Sequence, residues 1–502
     1  MELPAGLPIS MEDWEQTPRS VQGVVNTFWQ MIGALRQQIA LQQEQIIRQQ
    51  DQITQQQEQI VRLEGEVAKL REQVSKNSHN SSKPPSSDGP QTPPHPKGEP
   101  TGRKPGGQKG HPGHGRKLMS SEHVQRVVVC KPDSCQVCGA LLLGEDPAPQ
   151  RHQVSEIPHP EPVITEYQLH TLTCLACGAQ TSGQWPKEMP VGSFGARTQA
   201  MVSYLGGRFG LSHRDIVELM AVGFHIQMGL GSVPAQEQAV SEALQAPVEE
   251  AQSYVQQQGS ANVDETGWHV SGKPAWLWVD ATRFVTAFLL MATRSAEGVK
   301  RMLGEGFTGV LGSDRWTAYA GFDPKRRQVC WAHLTRDFRA LFERGGESQV
   351  IGKLLLQQTT LLFHHWHRVR DGTLTRPEFA LLVQPIRSEV KTLLAIGMLT
   401  NQAPTRKTCA NILKIEPALW TFVDHEGVEP TNNSAERPLR RGVLWRKRCF
   451  GTQSKQGSLF VERILTTVLT LRQQNRDVLD FLTLACQAKN SAAHVPSLLP
   501  TD

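Results

Sequence analysis

ANVDETGWHV (residues 261–270), PAWLWVDAT (274–282) and FVTAFLLMAT (284–293) are three short runs rich in β-branched and aromatic residues. Turn-forming residues separate them, so the pattern predicts three consecutive β-strands. The next stretch, SAEGVKRMLGEG (295–306), has helical periodicity, and GVLGSDRWTAY (309–319) again has the pattern of a strand. The sequence therefore predicts an α/β core with the element order β-β-β-α-β.

This order is that of a ribonuclease-H-like core, in which the first and fourth strands lie side by side. Asp264 is in the first predicted strand and Asp314 ends the fourth, so we expect their carboxylates to be neighbours. Carboxylate oxygens are the ligands that Mg²⁺ prefers. Two Mg²⁺ or Mn²⁺ ions ~3.5–4 Å apart would clamp the attacking and leaving oxygens of a phosphoryl transfer. Such a site needs a third carboxylate.

The third carboxylate is predicted within TNNSAERPLRRGVLWRKR (431–448), where Glu436 stands among arginine and lysine residues. A capping box from Asn433 to Glu436 is the alternative role for this acid. That box would put Pro438 at the fifth position of the helix, where proline is disfavoured. A helix that starts nearer Glu436 avoids the problem and leaves the carboxylate free. Glu436 is therefore the predicted third metal ligand.

The basic residues around this acid favour an anionic partner, because a cluster of like charges is costly without one and DNA phosphates supply it. The predicted DNA-binding residues in this stretch are Arg437, Arg440, Arg441, Arg446, Lys447 and Arg448. Arg103, Lys104 and Lys109 are predicted DNA contacts in the basic stretch GRKPGGQKGHPGHGRK (102–117). Residues 76–120 as a whole are predicted to be a disordered Pro/Gly/Ser-rich linker. A solvated linker without DNA contacts is the alternative.

Two CxxCG motifs, CQVCG (135–139) and CLACG (174–178), predict a zinc-binding domain over residues 121–190. Each motif places two thiolates on one tight turn, and two such turns complete a closed tetrahedral site. The predicted ligands of one structural Zn²⁺ are Cys135, Cys138, Cys174 and Cys177. The segment between the motifs contains the alternating VITEYQLHTLT (163–173), so we expect this small domain to be β-rich.

An apolar residue recurs every seven positions in residues 1–75, as in the seam of a coiled coil. The positions are Ile32, Ile39, Ile46, Ile53, Ile60, Val67 and Val74. Gln42, Gln49 and Gln56 interrupt the companion positions of the seam and would weaken the coil. The pattern predicts a homo-oligomer formed through this helix, and a helix that lies on its own chain is the alternative.

The remaining segments complete a multidomain α/β organisation. Residues 191–258 are predicted to be helical, either as a helix-turn-helix DNA reader or as an ordinary helical lead-in. The ribonuclease-H-like catalytic core is predicted in two parts, 259–346 and 426–485. A helical insertion at 347–425 separates these parts, and residues 486–502 are predicted to be a C-terminal tail.

Composition excludes several classes of protein. The net charge is only +5, so any nucleic-acid contact must depend on local clusters of charge. No apolar run approaches the ~20 residues that a membrane-spanning helix needs. The first residues do not have the pattern of a signal peptide, and nine cysteines, an odd number, do not suggest a disulfide framework. These features predict a soluble cytoplasmic protein without a membrane partner.

Several motifs resemble those of the transposases of insertion-sequence family 66. Besides the heptads and the CxxCG pair, they are SKNSHNSSKPPSSDG (75–89), GRKPGGQKGH (102–111), VDETGW (263–268), LGSDRWTAY (311–319), CWAHLTRDF (330–338) and NNSAERPLRR (432–441). The resemblance covers nearly the whole chain and implies that Asp264, Asp314 and Glu436 form a DDE triad. Cys330 to His333 resemble a C-x-x-H signature of several cut-and-paste transposases, for which we expect a packing role.

The resemblance also implies an activity and partners. Such a transposase cleaves double-stranded DNA at the inverted-repeat ends of its element and joins the freed 3′ hydroxyl to target DNA. The resemblance further implies small accessory proteins encoded by the same element. It also implies a location in the bacterial cytoplasm, with attachment to the nucleoid when DNA is bound. Two alternatives remain: a related nuclease that cuts without joining, and a DNA-binding regulator that has lost catalysis.

Overall fold

The computed structural model describes residues 1–81, 117–186, 189–190, 192–491 and 493–500. The predicted DNA contacts Arg103, Lys104 and Lys109 lie outside these residues. The chain divides into two compact units, Met1–Thr92 and Pro93–Asp502. Among the described helices, none has both the length and the apolar character that crossing a membrane requires.

The described residues form helices and strands. The helices are α1 (Met11–Gln16), α2 (Arg19–Ser75), α3 (Ala196–Tyr204), α4 (His213–Phe224), α5 (Ser232–Ala243), α6 (Gln245–Gln256), α7 (Ala296–Leu303), α8 (Trp331–Glu343), α9 (Gly346–Arg370), α10 (Arg376–Gly397), α11 (Ala403–Leu413), α12 (Thr421–Asp424), α13 (Asn433–Cys449), α14 (Lys455–Gln473) and α15 (Val478–Ser491). The strands are β1 (Thr171–Thr173), β2 (Gln180–Ser182), β3 (Ser260–Val270), β4 (Lys273–Ala281), β5 (Thr286–Met291), β6 (Val310–Ser313) and β7 (Arg327–Val329).

The N-terminal unit consists mainly of α2, which is 57 residues long. The chain before it folds back on the helix: the indole N–H of Trp14 donates to the carbonyl of Met1, and the Gln22 amide donates to the carbonyl of Trp14. The apolar positions of the predicted seam face solvent, with Ile39 53% and Ile60 55% exposed. The single chain thus presents an apolar stripe along a continuous helix.

The segment with the two CxxCG motifs contains less strand than predicted. β1 and β2 pair antiparallel on either side of the second motif. The described part of this segment contains no other strand. VITEYQLHTLT was expected to contribute to a β-rich domain, but only its last three residues form a strand, and Val163 is 96% exposed. Alternation alone does not make a strand, because the backbone N–H and C=O groups need partners. The prediction of a β-rich domain is wrong in this respect.

Helices α3 to α6 precede the main sheet. A capping box begins α4, since Ser212 and Asp215 each accept a hydrogen bond from the other's backbone N–H. Residues 232–256 form two helices rather than one, because Pro247 lacks an N–H group and lies in the first turn of α6. Val240 and Val248 are buried in one apolar cluster with residues of α14 and α15. This packing favours the helical lead-in over a separate DNA-reading module.

A five-stranded mixed sheet has the strand order β5-β4-β3-β6-β7. β3 pairs antiparallel with β4 and parallel with β6. β4 pairs antiparallel with β5, β6 pairs parallel with β7, and α7 connects β5 to β6. The elements therefore follow the predicted order β-β-β-α-β, and the first and fourth strands are neighbours, as expected.

Helix α14 covers the outer edge of β5. Alternate backbone N–H groups of this strand donate to side chains one helical turn apart: Thr286 to Thr470 Oγ1 at 3.0 Å, Phe288 to Thr466 Oγ1 at 3.0 Å, and Leu290 to Glu462 Oε1 at 2.6 Å. The spacings match, because two strand residues span ~6.6 Å and four helical residues span ~6 Å. An edge strand that would otherwise expose unpaired donors is thereby satisfied.

Two boundaries differ from the prediction. α13 begins at Asn433, so Pro438 lies inside the helix rather than in its first turn. The missing N–H of Pro438 leaves the carbonyl of Ser434 without its helical partner, and water can replace that partner because Ser434 is exposed. The predicted C-terminal tail is partly core, since α15 continues to Ser491 and Leu498 is fully buried.

The chain between β6 and α13 forms β7 and helices α8 to α12, and the last four of these helices make up most of the predicted insertion at 347–425. The aromatic side chains buried there include Trp331, Phe338, Phe379 and Trp420. The segment is helical because its apolar residues recur at helical spacing, and these aromatics share a single core. The path of the chain returns to β3 at the start of α13.

Candidate active site

Asp264 and Asp314 occupy equivalent positions next to adjacent parallel strands. In the register of β3 and β6, Asn262 lies opposite Gly312, and each aspartate follows two residues later. Gly312 permits this close approach, because a Cβ atom there would lie 2.1 Å from Asn262 Oδ1. Residues at the same level of a parallel pair point to the same face of the sheet. The two aspartates are therefore presented to the same region at the end of β6.

The start of α13 brings Glu436 to this region. The side-chain amide of Asn432 donates to the carbonyl of Val263 at 2.9 Å, directly before Asp264. Leu439, further along α13, is buried in an apolar cluster with residues of β3 and β4. Asn432 makes no side-chain cap to the helix, and Glu436 is likewise not part of a capping box. The helix start anticipated from the sequence was wrong, but the carboxylate is free of capping, as expected.

Burial and mutual repulsion disfavour the charged forms of these acids. Burial raises the pKa of Asp264 well above its ordinary value, and Glu265, Asp314 and Glu436 raise it further. Burial also raises the pKa values of Asp314 and Glu436. Bound divalent cations reverse such effects, because they are the largest local charges in a site. The donor set therefore fits hard divalent cations.

A fourth acid, Glu265, has a different environment. Its carboxylate accepts a hydrogen bond from the Tyr319 hydroxyl and pairs with Arg294 Nε at 2.7 Å. The Arg294 guanidinium lies 4.0 Å from the ring centroid of Trp316 and 4.7 Å from that of Trp276. Sequence reasoning missed this group, although the adjacent acids in VDETGW were a signal. It holds a positive charge beside the aspartates.

Glu436 also contacts the C-x-x-H segment. Its Oε1 atom lies 3.8 Å from Cys330 Sγ and 3.6 Å from His333 Nδ1. Within the described ranges, these three are the only set of His, Cys, Asp or Glu residues whose ligand atoms all lie within 4.8 Å of one another. Asp264, Asp314 and Glu436 are thus electrostatic neighbours but not a compact ligand set. Only a packing role was expected for Cys330 and His333. Their contact with Glu436 was not predicted.

The two CxxCG motifs form turns of the same geometry. In each, the final glycine has a φ of +73° and donates its N–H to the carbonyl of the first cysteine at 2.8 Å. The backbone N–H of Cys138 lowers the pKa of Cys135, and that of Ala176 lowers the pKa of Cys174. Both shifts favour the thiolate form that binds metals.

The turns are not assembled into one compact site. Cys135, Cys138, Cys174 and Cys177 all belong to the described chain, and no three of their sulfur atoms lie within 4.8 Å of one another. The two predicted turns are present in the structure. The binding of one Zn²⁺ by all four cysteines stays a prediction.

The six predicted DNA-binding residues of α13 do not have equal environments. Arg437, Arg440, Arg441, Lys447 and Arg448 are exposed. Arg446 is half-buried and donates to Thr266 Oγ1 at 3.2 Å and to the carbonyl of Gly267. Arg448 donates to the carbonyl of Phe209 at 2.7 Å. Arg446 and Arg448 therefore have structural partners, and the other four face solvent.

Arg208, which follows α3 and which the sequence did not single out, has two positively charged neighbours, Arg441 of α13 and Arg472 of α14. Burial lowers the pKa of Arg208, and the positive charges of Arg441 and Arg472 lower it further. The Arg208 Nε atom is buried and has no hydrogen-bond partner in the described part of the chain. No local motif could have revealed this cluster, because its members come from three separate segments.

Comparison with known families gives two matches. The model of the family described as Transposase IS66 family matches residues 193–459, more than half of the 502 residues, and this range includes Asp264, Asp314 and Glu436. A family of unknown function (DUF6444) matches residues 31–117. None of the curated proteins matches the chain. The extent of the first match shows that the chain belongs to the IS66 transposase family.

Proposed function

We propose that the protein is a DDE transposase that binds the inverted-repeat ends of its element, cleaves the DNA and joins the 3′ hydroxyl to target DNA. The observation that carries the proposal is the equivalent position of Asp264 and Asp314 at adjacent parallel strands, with Glu436 tied beside them through Asn432. The sheet order supports a ribonuclease-H-like core, because the antiparallel triplet β5-β4-β3 is extended by two parallel strands.

Asp264, Asp314 and Glu436 would hold two Mg²⁺ or Mn²⁺ ions, which supply charge neutralisation at the phosphate and polarise the attacking and leaving oxygens. The raised pKa of Asp264, to which its buried acidic neighbours contribute, supports this assignment, because bound cations would relieve their mutual repulsion. Arg294, held by Glu265, lowers the pKa of Asp314, so its positive charge acts on the same site. The chain thus orients the carboxylates and places a cation beside the phosphate-binding region.

DNA contacts are proposed for the exposed arginines and lysine of α13 and for the cluster of Arg208, Arg441 and Arg472. The Nε atom of Arg208 has no hydrogen-bond partner within the described residues, and a DNA phosphate would supply an anion to this positively charged cluster. Arg103, Lys104 and Lys109 would add contacts that do not depend on sequence. Arg446 and Arg448 would contribute less than predicted, because backbone carbonyls already accept their hydrogen bonds.

Cys135, Cys138, Cys174 and Cys177 would bind one structural Zn²⁺. Their two turns present paired thiols, and the ion would draw the turns together, since structural zinc takes four ligands in a tetrahedron. The proposal also includes self-association through the heptads of α2. It further includes small accessory proteins encoded by the element.

The test is Mg²⁺-dependent cleavage and strand transfer on DNA carrying the element's own ends. Glu436→Gln, Asp264→Asn and Asp314→Asn should each bind the ends in gel shifts but lose cleavage, because each removes a negative charge and keeps the size of the side chain. Asp280→Asn is the matched control, since it makes the same replacement at a fully buried carboxyl group of β4 outside the triad. It should cleave like the wild type.

The same assay separates the alternatives. Cleavage without any joined product would indicate a nuclease, and end binding without cleavage by the wild type would indicate a regulator. Substantial cleavage by a folded Glu436→Gln protein would end the catalytic assignment.

A further inference from the structure

The cluster of Cys330, His333 and Glu436 has the dimensions of a three-ligand metal site. Glu436 Oε1 lies 3.8 Å from Cys330 Sγ and 3.6 Å from His333 Nδ1. Both distances are too long for strong hydrogen bonds. Ligand atoms of a tetrahedral zinc ion, bound at ~2.0–2.3 Å, lie about 3.5 Å apart. The two distances therefore match neighbouring corners of one zinc tetrahedron.

The side chains are in states suited to coordination. His333 Nδ1 is buried and has no hydrogen-bond partner among the described residues. A metal would therefore not have to displace a protein hydrogen bond at this nitrogen. Cys330 is a buried free thiol, so its sulfur is available to a metal that displaces the thiol proton.

The backbone fixes the three ligands relative to one another. Cys330 directly precedes α8, His333 is in the first turn of α8, and Glu436 is in the first turn of α13. The backbone N–H of Asn432 donates to Cys330 Sγ at 3.2 Å. The backbone N–H of Trp331 donates to the carbonyl of Pro430. Two helix starts are thus joined around the cluster, and little rearrangement is needed for binding.

We propose that Cys330, His333 and Glu436 form a binding site for Zn²⁺, separate from the four-cysteine turns, and that its occupancy inhibits cleavage by engaging Glu436. The sulfur and nitrogen donors favour Zn²⁺ over Mg²⁺, which prefers oxygen donors alone. On binding, the Cys330 S–H bond breaks, a sulfur–zinc bond forms and the proton passes to solvent. Three protein ligands leave a fourth position for water. The inhibitory part rests on the proposed function, whereas the binding part does not.

Metal counting on the full-length protein tests the binding part. After saturation with Zn²⁺ and removal of free metal, Cys330→Ser and His333→Gln should each hold one zinc fewer per chain than the wild type. Cys330→Ser keeps an acceptor for the Asn432 N–H but provides a poor zinc ligand. Cys409→Ser, a change at another buried free thiol, should retain the full wild-type zinc content.

Cobalt substitution gives a second readout that needs no activity. Titration with Co²⁺ should give a thiolate-to-cobalt absorption that is weaker by one sulfur ligand in Cys330→Ser than in the wild type and in Cys409→Ser. Circular dichroism checks that each variant is folded. If Cys330→Ser does not fold, His333→Gln decides the outcome, because its side chain is at the margin of the cluster and 16% exposed.

Zinc inhibition tests the regulatory part. With Mg²⁺ held constant, Zn²⁺ should inhibit cleavage by the wild type and by Cys409→Ser. The zinc concentration for half inhibition should rise by more than about tenfold in Cys330→Ser and His333→Gln, each compared with its own zinc-free rate. Wild-type zinc content and zinc sensitivity in both folded variants would overturn the site. A wild type that binds the extra zinc but never cleaves DNA would instead refute the proposed function.

Discussion

Asp264 is a residue at which the requirements of the proposed site oppose those of folding. Its pKa is raised by burial first and then by Glu265, Asp314 and Glu436. A carboxyl group whose pKa is higher in the folded state stabilises the fold while protonated, and this contribution is lost as pH rises through the folded pKa. The metal-free site should therefore destabilise the protein most at neutral and alkaline pH.

Asp264→Asn cannot ionise, so it should raise the melting temperature of the metal-free protein at pH 8 by roughly 2–4 °C, the change expected from about 1 kcal/mol. The effect should be smaller at pH 4, where the wild-type carboxyl is protonated. Circular dichroism melts at both pH values measure this. Mg²⁺ should stabilise the wild type and not the variant. Equal stabilisation of both proteins by Mg²⁺ would count against Asp264 as a ligand.

Glu462 predicts a separate dependence of stability on pH. Burial raises its pKa to about 7 in the folded protein, against ~4.3 in an unfolded chain. Between these values the folded state binds more protons than the unfolded state, so the free energy of unfolding falls as pH rises through this window. Glu462→Gln should remove up to about 3 kcal/mol of this fall, as urea unfolding at pH 4.5 and pH 8 would show. Glu297→Gln, at an exposed acid, should leave the fall unchanged.

At the scale of elements, the contact between α14 and β5 depends on single hydroxyl groups. Thr466→Val keeps the shape of the side chain but leaves the buried N–H of Phe288 without its acceptor, which should cost ~1–3 kcal/mol of unfolding free energy. Thr467 is the matched control, because its hydroxyl is buried without a hydrogen-bond partner in the described residues. Thr467→Val should be neutral or stabilising. Equal losses in the two variants, measured by urea unfolding, would show that the edge hydrogen bonds contribute nothing.

The elements also show which features the sequence could predict. The succession of elements from β3 to β6 could be predicted, because alternation and turn residues act over short distances, and the adjacency of the strands that carry Asp264 and Asp314 followed from the ribonuclease-H-like order. The fifth strand of the sheet, β7, was not predicted. The start of α13 could not, since local preference against Pro438 was overridden by packing of Leu439 on the sheet. Most of residues 163–173 do not form a strand, for the opposite reason. Their alternation favours a strand, but no segment of the described chain pairs with their backbone.

The candidate site shows the same limit. Glu436 stood out because it is an acid among bases. Its contacts with Cys330 and His333 join segments about 100 residues apart, and the meeting of Arg208 with Arg441 and Arg472 joins three segments. Such juxtapositions follow from tertiary packing, which no local pattern encodes.

At the scale of the whole molecule, the apolar stripe of α2 should determine self-association. Stripe residues such as Ile46 and Ile53 are 61% and 47% exposed in the single chain. Pairing two helices would bury these side chains, and each would contribute about 1.5–3 kcal/mol if fully covered. Gln42, Gln49 and Gln56 lie at the companion positions and would limit the strength of the pair. A transposase that must hold two DNA ends can use such a reversible contact.

Replacing Ile46 and Ile53 together with Asp should therefore shift the full-length protein toward monomer in light scattering and reduce the pairing of two DNA ends in gel shifts. Both residues occupy the first position of the heptad, so the change places charges in the seam of the coil. Ile47→Asp is the matched control: Ile47 is 62% exposed and lies one residue outside the seam, so this variant should associate like the wild type. Deletion of residues 1–75 should reproduce the monomer. An unchanged mass for the double variant, with and without DNA, would mean that α2 does not join two chains.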